Sequence, residues 1–103
     1  MAKRTPPTYP RARRQIEALG NRLRTARLRR QMTQGQLAER VGVSVPTIAK
    51  IEDGDPSTSM ATVLRVLAVL GLDHDVDLLA ANDALGRSLQ DSRLKTPRPR
   101  GGP

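Results

Sequence analysis

The sequence predicts an all-α protein of five short helices with one short strand near its C-terminus. Two observations support the helices: apolar residues recur at steps of three and four, and capping residues stand at the expected helix boundaries. The strand is predicted by an alternation of apolar and acidic residues. The 103 residues correspond to about one domain.

The first helix is predicted over residues 11–30, with arginines around most of its outer surface. Its apolar face consists of Ile16, Leu19, Leu23 and Ala26. Residues 1–10 contain three prolines among polar and basic neighbours, so we expect a flexible basic arm before the helix.

Two short helices separated by a tight turn follow. Thr33 and Gln36 have the spacing of a capping box for a helix over residues 33–41, which Gly42 closes. Ser44 caps the next helix, residues 44–52. The inward-facing residues of the pair are Leu37, Ala38, Val41, Ile48 and Ile51. This arrangement is that of a helix-turn-helix, in which the second helix enters the major groove of DNA.

A fourth helix is predicted from the cap Ser59 to Gly71. Its core stripe consists of Met60, Val63, Leu64, Leu67 and Leu70. Val66 and Val69 lie off this stripe, which indicates either a broad core or contact with a partner.

Beyond Gly71 the pattern changes to a strand over residues 74–80, with Val76, Leu78 and Ala80 on one side. A lone strand has unpaired backbone groups, so we expect it to pair with the same strand of a second copy across a two-fold axis. Asp83 caps a last helix over residues 84–90, whose apolar pair is Leu85 and Leu89.

Four segments result from these predictions. Residues 1–10 are the arm, residues 11–72 the helix-turn-helix domain, residues 73–92 an extension for dimerisation or a partner, and residues 93–103 a basic disordered tail.

The net charge of +8 indicates a polyanionic partner, nucleic acid first. This charge is unevenly distributed, because residues 1–30 hold ten basic residues and one acid, whereas residues 31–92 hold four basic residues and nine acids. The excess positive charge therefore belongs to the arm, the first helix and the tail.

Several function classes are excluded by composition. The chain has no cysteine, one histidine, His74, and one aromatic residue, Tyr9. A thiolate zinc site, a cysteine nucleophile and a row of base-stacking rings are therefore impossible or unlikely, and we expect no enzyme, cofactor or metal site. Asp73, Asp75 and Asp77 have the spacing that opens an EF-hand loop, but Leu78 stands where glycine is needed.

No apolar run approaches the roughly 18 residues that span a bilayer, and no secretory signal is recognisable. We therefore expect no membrane association and a cytoplasmic location.

The motifs MTQGQLAERVGVS (residues 32–44) and TIAKIEDG (residues 47–54) resemble the Xre/Cro/cI family of phage-repressor-like DNA-binding domains. The resemblance covers residues 16–72 and implies the five-helix fold of that family. It also implies a structural ion pair between Arg27 and Glu52 and a phosphate contact by Gln34. The residues that would face the groove are Ser44, Val45, Pro46, Thr47 and Lys50.

Val45 and Pro46 stand where the best-studied phage repressors have glutamines, so they could at most touch thymine methyl groups. Polar base readout is then left to Thr47 and Lys50, and we expect DNA shape to supplement it. The further residues predicted to contact phosphates are Thr33, Ser44, Arg11, Arg13 and Arg14.

The C-terminal extension, residues 70–94, resembles the tails of HipB-type antitoxins, and the run from Leu85 to Asp91 carries most of that resemblance. It implies a homodimeric repressor that binds a palindromic operator, controls its own operon and binds a HipA-type kinase toxin. Two alternatives remain: a stand-alone regulator of the same family, and an interaction module that does not bind DNA.

Overall fold

The computed structural model describes residues 7–95, apart from the side chain of Lys95. In order, the elements are α1 (Pro10–Arg29), α2 (Gln34–Val41), α3 (Val45–Glu52), α4 (Met60–Val69), a 3-10 helix (Asp73–Leu78) and α5 (Ala84–Lys95). The five predicted α-helices are confirmed, and each begins within one residue of its predicted start. No helix among the described residues is long and apolar enough to cross a membrane.

The predicted arm and tail fall largely outside this range, since residues 1–6 and 96–103 are not among the described residues. Residues 93–95, assigned above to the tail, are helical because α5 continues to Lys95.

Side-chain caps start most of the α-helices. Thr33 Oγ1 accepts a hydrogen bond from the Gln36 amide at 3.0 Å, and Gln36 Oε1 accepts one from the Thr33 amide at 2.8 Å, which confirms the capping box. The predicted caps Ser44, Ser59 and Asp83 each accept a bond from the amide three residues later, at 3.3, 3.1 and 2.9 Å. These local bonds fix where α2, α3, α4 and α5 begin.

The core lies where α3 packs against α1 and α2 and where α4 packs against α2. Its buried apolar residues are Leu23, Ala26, Met32, Leu37, Ala38, Val41, Ile48, Ile51, Val66, Leu67 and Leu70. Val66 is 1% exposed, so the broad-core alternative is correct for this residue. Met60, predicted to face inward, is 73% exposed at the first turn of α4.

Two glycines let α1 and the end of α3 approach closely. A Cβ atom on Gly20 would lie 2.5 Å from the carbonyl oxygen of Ile51 and 2.7 Å from that of Glu52. At Gly54, which has a φ of +77°, a Cβ atom would lie 2.6 Å from the Cα atom of Glu17. Backbone therefore meets backbone here, and no side chain separates the two helices.

The predicted strand over residues 74–80 is wrong, because Asp73–Leu78 form a 3-10 helix. The amides of Leu79 and Ala81 donate to carbonyl groups three residues earlier, at 3.0 and 3.2 Å. Such local bonds satisfy backbone groups that a lone strand would leave unpaired, and the alternate aspartates are poor strand formers. Val76, Leu78 and Ala80 consequently do not share one face, since a 3-10 helix has three residues per turn.

The chain divides into two units between Asp73 and His74. All buried side chains of the described residues belong to the first unit, which contains α1 to α4. In the second unit, side chains of residues 74–94 are half-buried or exposed.

We expect Gly20→Ala to destabilise the first unit, although alanine favours helix by about 1 kcal/mol over glycine. The added methyl group meets two backbone carbonyls, so α1 and α3 must separate, and overpacking of this kind costs about 1–3 kcal/mol. The measurement is urea unfolding followed by circular dichroism.

Gly35→Ala is the matched control, because this helical glycine is exposed and a Cβ atom there meets only Thr33 Oγ1 at 3.7 Å. It should leave stability unchanged or raise it slightly. Equal stability of the two variants would contradict the close approach at Gly20.

Candidate nucleic-acid interface

Helix α3 buries one face and leaves the other uncovered. Ile48, Ile51 and Glu52 are buried against the rest of the first unit. Val45 is 44% exposed, and Pro46 and Lys50 are also exposed. Because α3 packs against both α1 and α2, its position is set while one side stays open to a ligand.

Ser44 and Thr47 bond to each other at the start of α3. Their hydroxyl oxygens lie 2.9 Å apart, and Ser44 Oγ also accepts the Thr47 amide. Thr47 is half-buried and lies on the flank of the open face. Among the predicted base-contacting residues, Thr47 is therefore less exposed than Val45, Pro46 and Lys50.

Sequence reasoning missed Ala49 on this face. It lies one turn after Val45 and beside Lys50, and its side chain is half-buried. The spacing of four residues from Val45 was the signal that could have identified it. Val45, Pro46, Ala49 and Lys50 together form what we call the open face of α3.

A buried ion pair ties α1 to α3. Arg27 Nε donates to Glu52 Oε2 at 2.7 Å, and Arg27 Nη2 donates to Glu52 Oε1 at 3.0 Å. The two residues are 6% and 7% exposed. Arg27 Nη1 also donates to the carbonyl oxygen of Met32 at 2.8 Å, so the same guanidinium holds the turn between α1 and α2. The fork geometry makes this a charge-assisted, bidentate contact.

Glu52 also receives a bond from α2. Gln34 Nε2 donates to Glu52 Oε1 at 3.0 Å. Burial by itself raises the pKa of Glu52, but the hydrogen bonds from Arg27 and Gln34 outweigh it and leave that pKa below its ordinary value. The bond to Glu52 also raises the pKa of Arg27. Both groups are therefore charged at neutral pH.

Gln34, predicted to contact a phosphate, lines a polar depression at the start of α2. The depression is lined by Asn21, Arg24, Arg27, Gln34, Glu52 and Asp53. One amide hydrogen of Gln34 is committed to Glu52, and an amide nitrogen carries a second one. The first turn of α2, after the Thr33 cap, also favours an anion through its backbone amides.

The arginines of α1 separate into two flanks. The positive charge of Arg24 contributes to the low pKa of Glu52, and that of Arg13 contributes to the low pKa of Asp55, so both arginines lie near the end of α3. At about 100° per residue, Arg11, Arg22 and Arg29 lie roughly 160–180° around α1 from Gly20, which faces α3. Of the predicted trio Arg11, Arg13 and Arg14, only Arg13 thus lies on the α3 side.

The turn after α3 is held by Asp55. Asp55 Oδ1 accepts bonds from the Ser57 amide at 2.8 Å and the Ser57 hydroxyl at 2.7 Å, and these bonds lower the pKa of Asp55. Lys50 lowers it further through its charge. The charge of Arg13, on α1, acts on the same carboxylate.

The residues predicted for dimer or partner contacts belong to the second unit. Leu78, Leu85 and Leu89 are 72%, 71% and 55% exposed. Val76 is half-buried and Ala80 is exposed, with a positive φ of 57°.

Helices α2 and α3, joined by the turn at Gly42, have the arrangement of a helix-turn-helix. A family model described as a helix-turn-helix domain matches residues 18–81, and the chain belongs to that family. Among curated proteins, the chain is similar to an uncharacterized HTH-type transcriptional regulator of Methanothermobacter thermautotrophicus. The two are 38% identical over 52 residues, which cover 50% of this chain and 75% of the relative.

We expect Arg27→Met to lower the free energy of unfolding by about 3–5 kcal/mol, because it leaves the buried carboxylate of Glu52 without its cation. The double variant Arg27→Met/Glu52→Met removes both charges and should lose clearly less than the two single variants combined. Chemical denaturation of the native chain, Arg27→Met, Glu52→Met and the double variant measures this coupling. Additive losses would contradict a buried, mutually dependent pair.

The pH dependence of stability should follow Glu52. Its pKa in the folded chain lies below the ordinary value of 4.5, so the folded state favours the carboxylate. The stabilisation is complete above that ordinary value and is lost as the pH falls through the folded pKa. Glu52→Gln should therefore flatten the loss of stability between neutral pH and acid. An unchanged slope would contradict this assignment.

Proposed function

We propose that this protein is a sequence-specific DNA-binding transcriptional regulator that acts as a repressor. The observation that carries the proposal is α3, which buries Ile48, Ile51 and Glu52 and leaves Val45, Pro46 and Lys50 exposed. A helix held in this way has the geometry that major-groove recognition requires. Membership of the helix-turn-helix family and the name of the archaeal relative support the same function.

Base readout is assigned to the open face of α3. Lys50 is its one cation and can donate to the acceptors of guanine, whereas Val45, Pro46 and Ala49 can only make apolar contacts, for example with thymine methyl groups. Thr47 contributes less, because its hydroxyl already bonds to Ser44. Specificity then depends on few direct contacts, supplemented by DNA shape.

Phosphate contacts are assigned to the two ends of this face. Thr33, Gln34 and Ser44 lie at the starts of α2 and α3, where backbone amides attract anions. Arg13 and Arg24 lie near the end of α3. Arg24 was not predicted, although its position one turn before Arg27 on α1 was a usable signal. Arg11 and Arg14 remain candidates for contacts outside the groove.

We propose that the regulator works as a homodimer on a palindromic operator, with the two α3 helices about 34 Å apart in successive major grooves. Residues 73–92, including Leu85 and Leu89, supply the association surface. A cytoplasmic location and the absence of an enzymatic activity belong to the same proposal.

We further propose an antitoxin role, in which the protein binds a HipA-type kinase toxin and controls its own operon. The support is the similarity of residues 70–94 to HipB-type tails and the exposed leucines that this segment presents.

Lys50→Met should weaken binding to a duplex selected from a randomised pool by about 1–3 kcal/mol, and should weaken binding to random DNA much less. Thr47→Val should act in the same direction with a smaller effect. Fluorescence anisotropy at fixed salt measures both, and Arg22→Met, on the far flank of α1, is the control. Equal losses on selected and random DNA for Lys50→Met would contradict its role in base readout.

Arg13→Met/Arg24→Met should lower affinity for selected and random DNA by the same factor and reduce the salt dependence by about two charges. The matched pair Arg22→Met/Arg29→Met removes the same charge from the far flank and should change the salt dependence much less. If the two pairs behave alike, the α1 arginines act only through general attraction, and the assignment of Arg13 and Arg24 is wrong.

The antitoxin role is tested in the genome and in cells. A HipA-type kinase reading frame beside this gene is expected, and co-expression of the full chain should relieve growth arrest by that kinase. Leu85→Ser/Leu89→Ser in the full chain should reduce this relief or the dimerisation. Absence of a neighbouring kinase would favour the stand-alone regulator, and a lack of any DNA binding would favour an interaction module.

A further inference from the structure

The open face of α3 is mainly apolar. Val45 is 44% exposed, Pro46 is exposed and Ala49 is half-buried. At about 100° per residue, these three side chains fall within an arc of roughly 100° around the helix, and the exposed Lys50 lies next to that arc. The face is therefore one continuous apolar surface beside the single cation of α3.

The fold of the first unit does not require an apolar residue at Val45. On the opposite side of α3, Ile48 and Ile51 are 1% and 4% exposed and belong to the core. Ser44 supplies the cap that starts the helix, and valine favours helix less than alanine does. An exposed valine at this position therefore gains nothing from packing or from helix formation, and a ligand is the remaining source of a contact.

This surface offers few groups for hydrogen bonds with bases. The side chains of Val45, Pro46 and Ala49 have no donor and no acceptor. The hydroxyl oxygens of Ser44 and Thr47 lie 2.9 Å apart and bond to each other. Thymine and cytosine differ in the major groove by an O4 acceptor against an N4 donor, and an apolar surface cannot bond to either. The C5-methyl group is the part of a pyrimidine that such a surface can bind.

Charge favours DNA over an apolar protein segment as the ligand of this face. Residues 7–73 contain eleven basic residues and six acids, and Lys50 adjoins the apolar arc. The major groove offers methyl groups between two rows of phosphates, so it matches both the apolar arc and the positive charge. The match of residues 18–81 to a helix-turn-helix family agrees with this choice.

We propose that the open face of α3 binds the C5-methyl group of pyrimidines and that thymine and 5-methylcytosine gain the same increment of affinity from it. This inference rests on the proposed DNA-binding function and names the chemical group that the helix reads. Burial of one methyl group corresponds to about a fourfold gain in affinity. Methylation of a cytosine at a contacted position therefore strengthens binding, and cytosine methylation regulates the occupancy of such an operator.

The test uses the full chain and a duplex selected from a randomised pool. Each thymine of a half-site is replaced in turn by uracil, which lacks only the methyl group, by a cytosine·guanine pair and by a 5-methylcytosine·guanine pair. Fluorescence anisotropy at fixed salt measures the dissociation constants. At one or more positions, thymine should bind about fourfold more tightly than uracil, and 5-methylcytosine should exceed cytosine by the same factor.

Two variants locate the methyl contact on the protein. Val45→Ser removes apolar groups from the open face and should bring both ratios at a contacted position toward one. Met60→Ser is the matched control, because Met60 is also the first residue of a helix after a serine cap and is 73% exposed. It should leave both ratios unchanged. Circular dichroism checks the fold of each variant, and the ratios of the native chain test the methyl increment without any substitution.

Uracil that binds as tightly as thymine at every position would overturn the inference, and so would a selected half-site without thymine. A position where uracil binds weakly but 5-methylcytosine does not exceed cytosine would also overturn it, since thymine is then recognised through another group. Unchanged ratios in Val45→Ser would refute the assignment to the open face. All these results leave the DNA-binding proposal standing, because the selected duplex is bound, whereas a lack of binding to any duplex would overturn both proposals.

Discussion

The first unit depends on the buried contact between Arg27 and Glu52. This contact joins α1 to α3, and its two residues also hold the Met32 carbonyl and the Gln34 side chain, so four parts of the chain converge on one charge pair. Burying two charges is costly, and the cost is offset here because the geometry is bidentate and further hydrogen bonds satisfy the remaining groups. The pair thereby connects α3 to α1, to the turn before α2 and to the start of α2.

The exposed face of α3 is held in a fixed position because the helix packs against α1 and α2. Gly20 and Gly54 let α1 and the end of α3 meet backbone to backbone, which brings Arg13 and Arg24 of α1 close to that end. The cations that would hold a phosphate backbone are therefore positioned by the same contacts that stabilise the core. The buried side of α3 is held by the core, and only the exposed side is free to vary.

The two units differ in how much of their side-chain surface is buried. The first has a packed core, whereas the described part of the second has no buried side chain and has exposed leucines. The net charge of +8 belongs mostly to the first unit, because residues 1–73 hold 13 basic residues and six acids, whereas residues 74–103 hold five basic residues and four acids. The strongly basic α1 contrasts with residues 73–83, which contain four aspartates and no lysine or arginine.

The sequence by itself determined the features that depend on near neighbours: five helices, their caps and the apolar faces that form most of the core. It failed for residues 74–80, where alternation suggested a strand, because strand formation depends on a distant partner and 3-10 bonds were available locally. The sequence could not show that Gly20 lies against Ile51 or that Gln34 bonds to Glu52. Nor could it show which arginines of α1 lie on the α3 side. Those contacts join residues far apart in sequence, so only the tertiary structure, by packing α1 and α2 on α3, decided them.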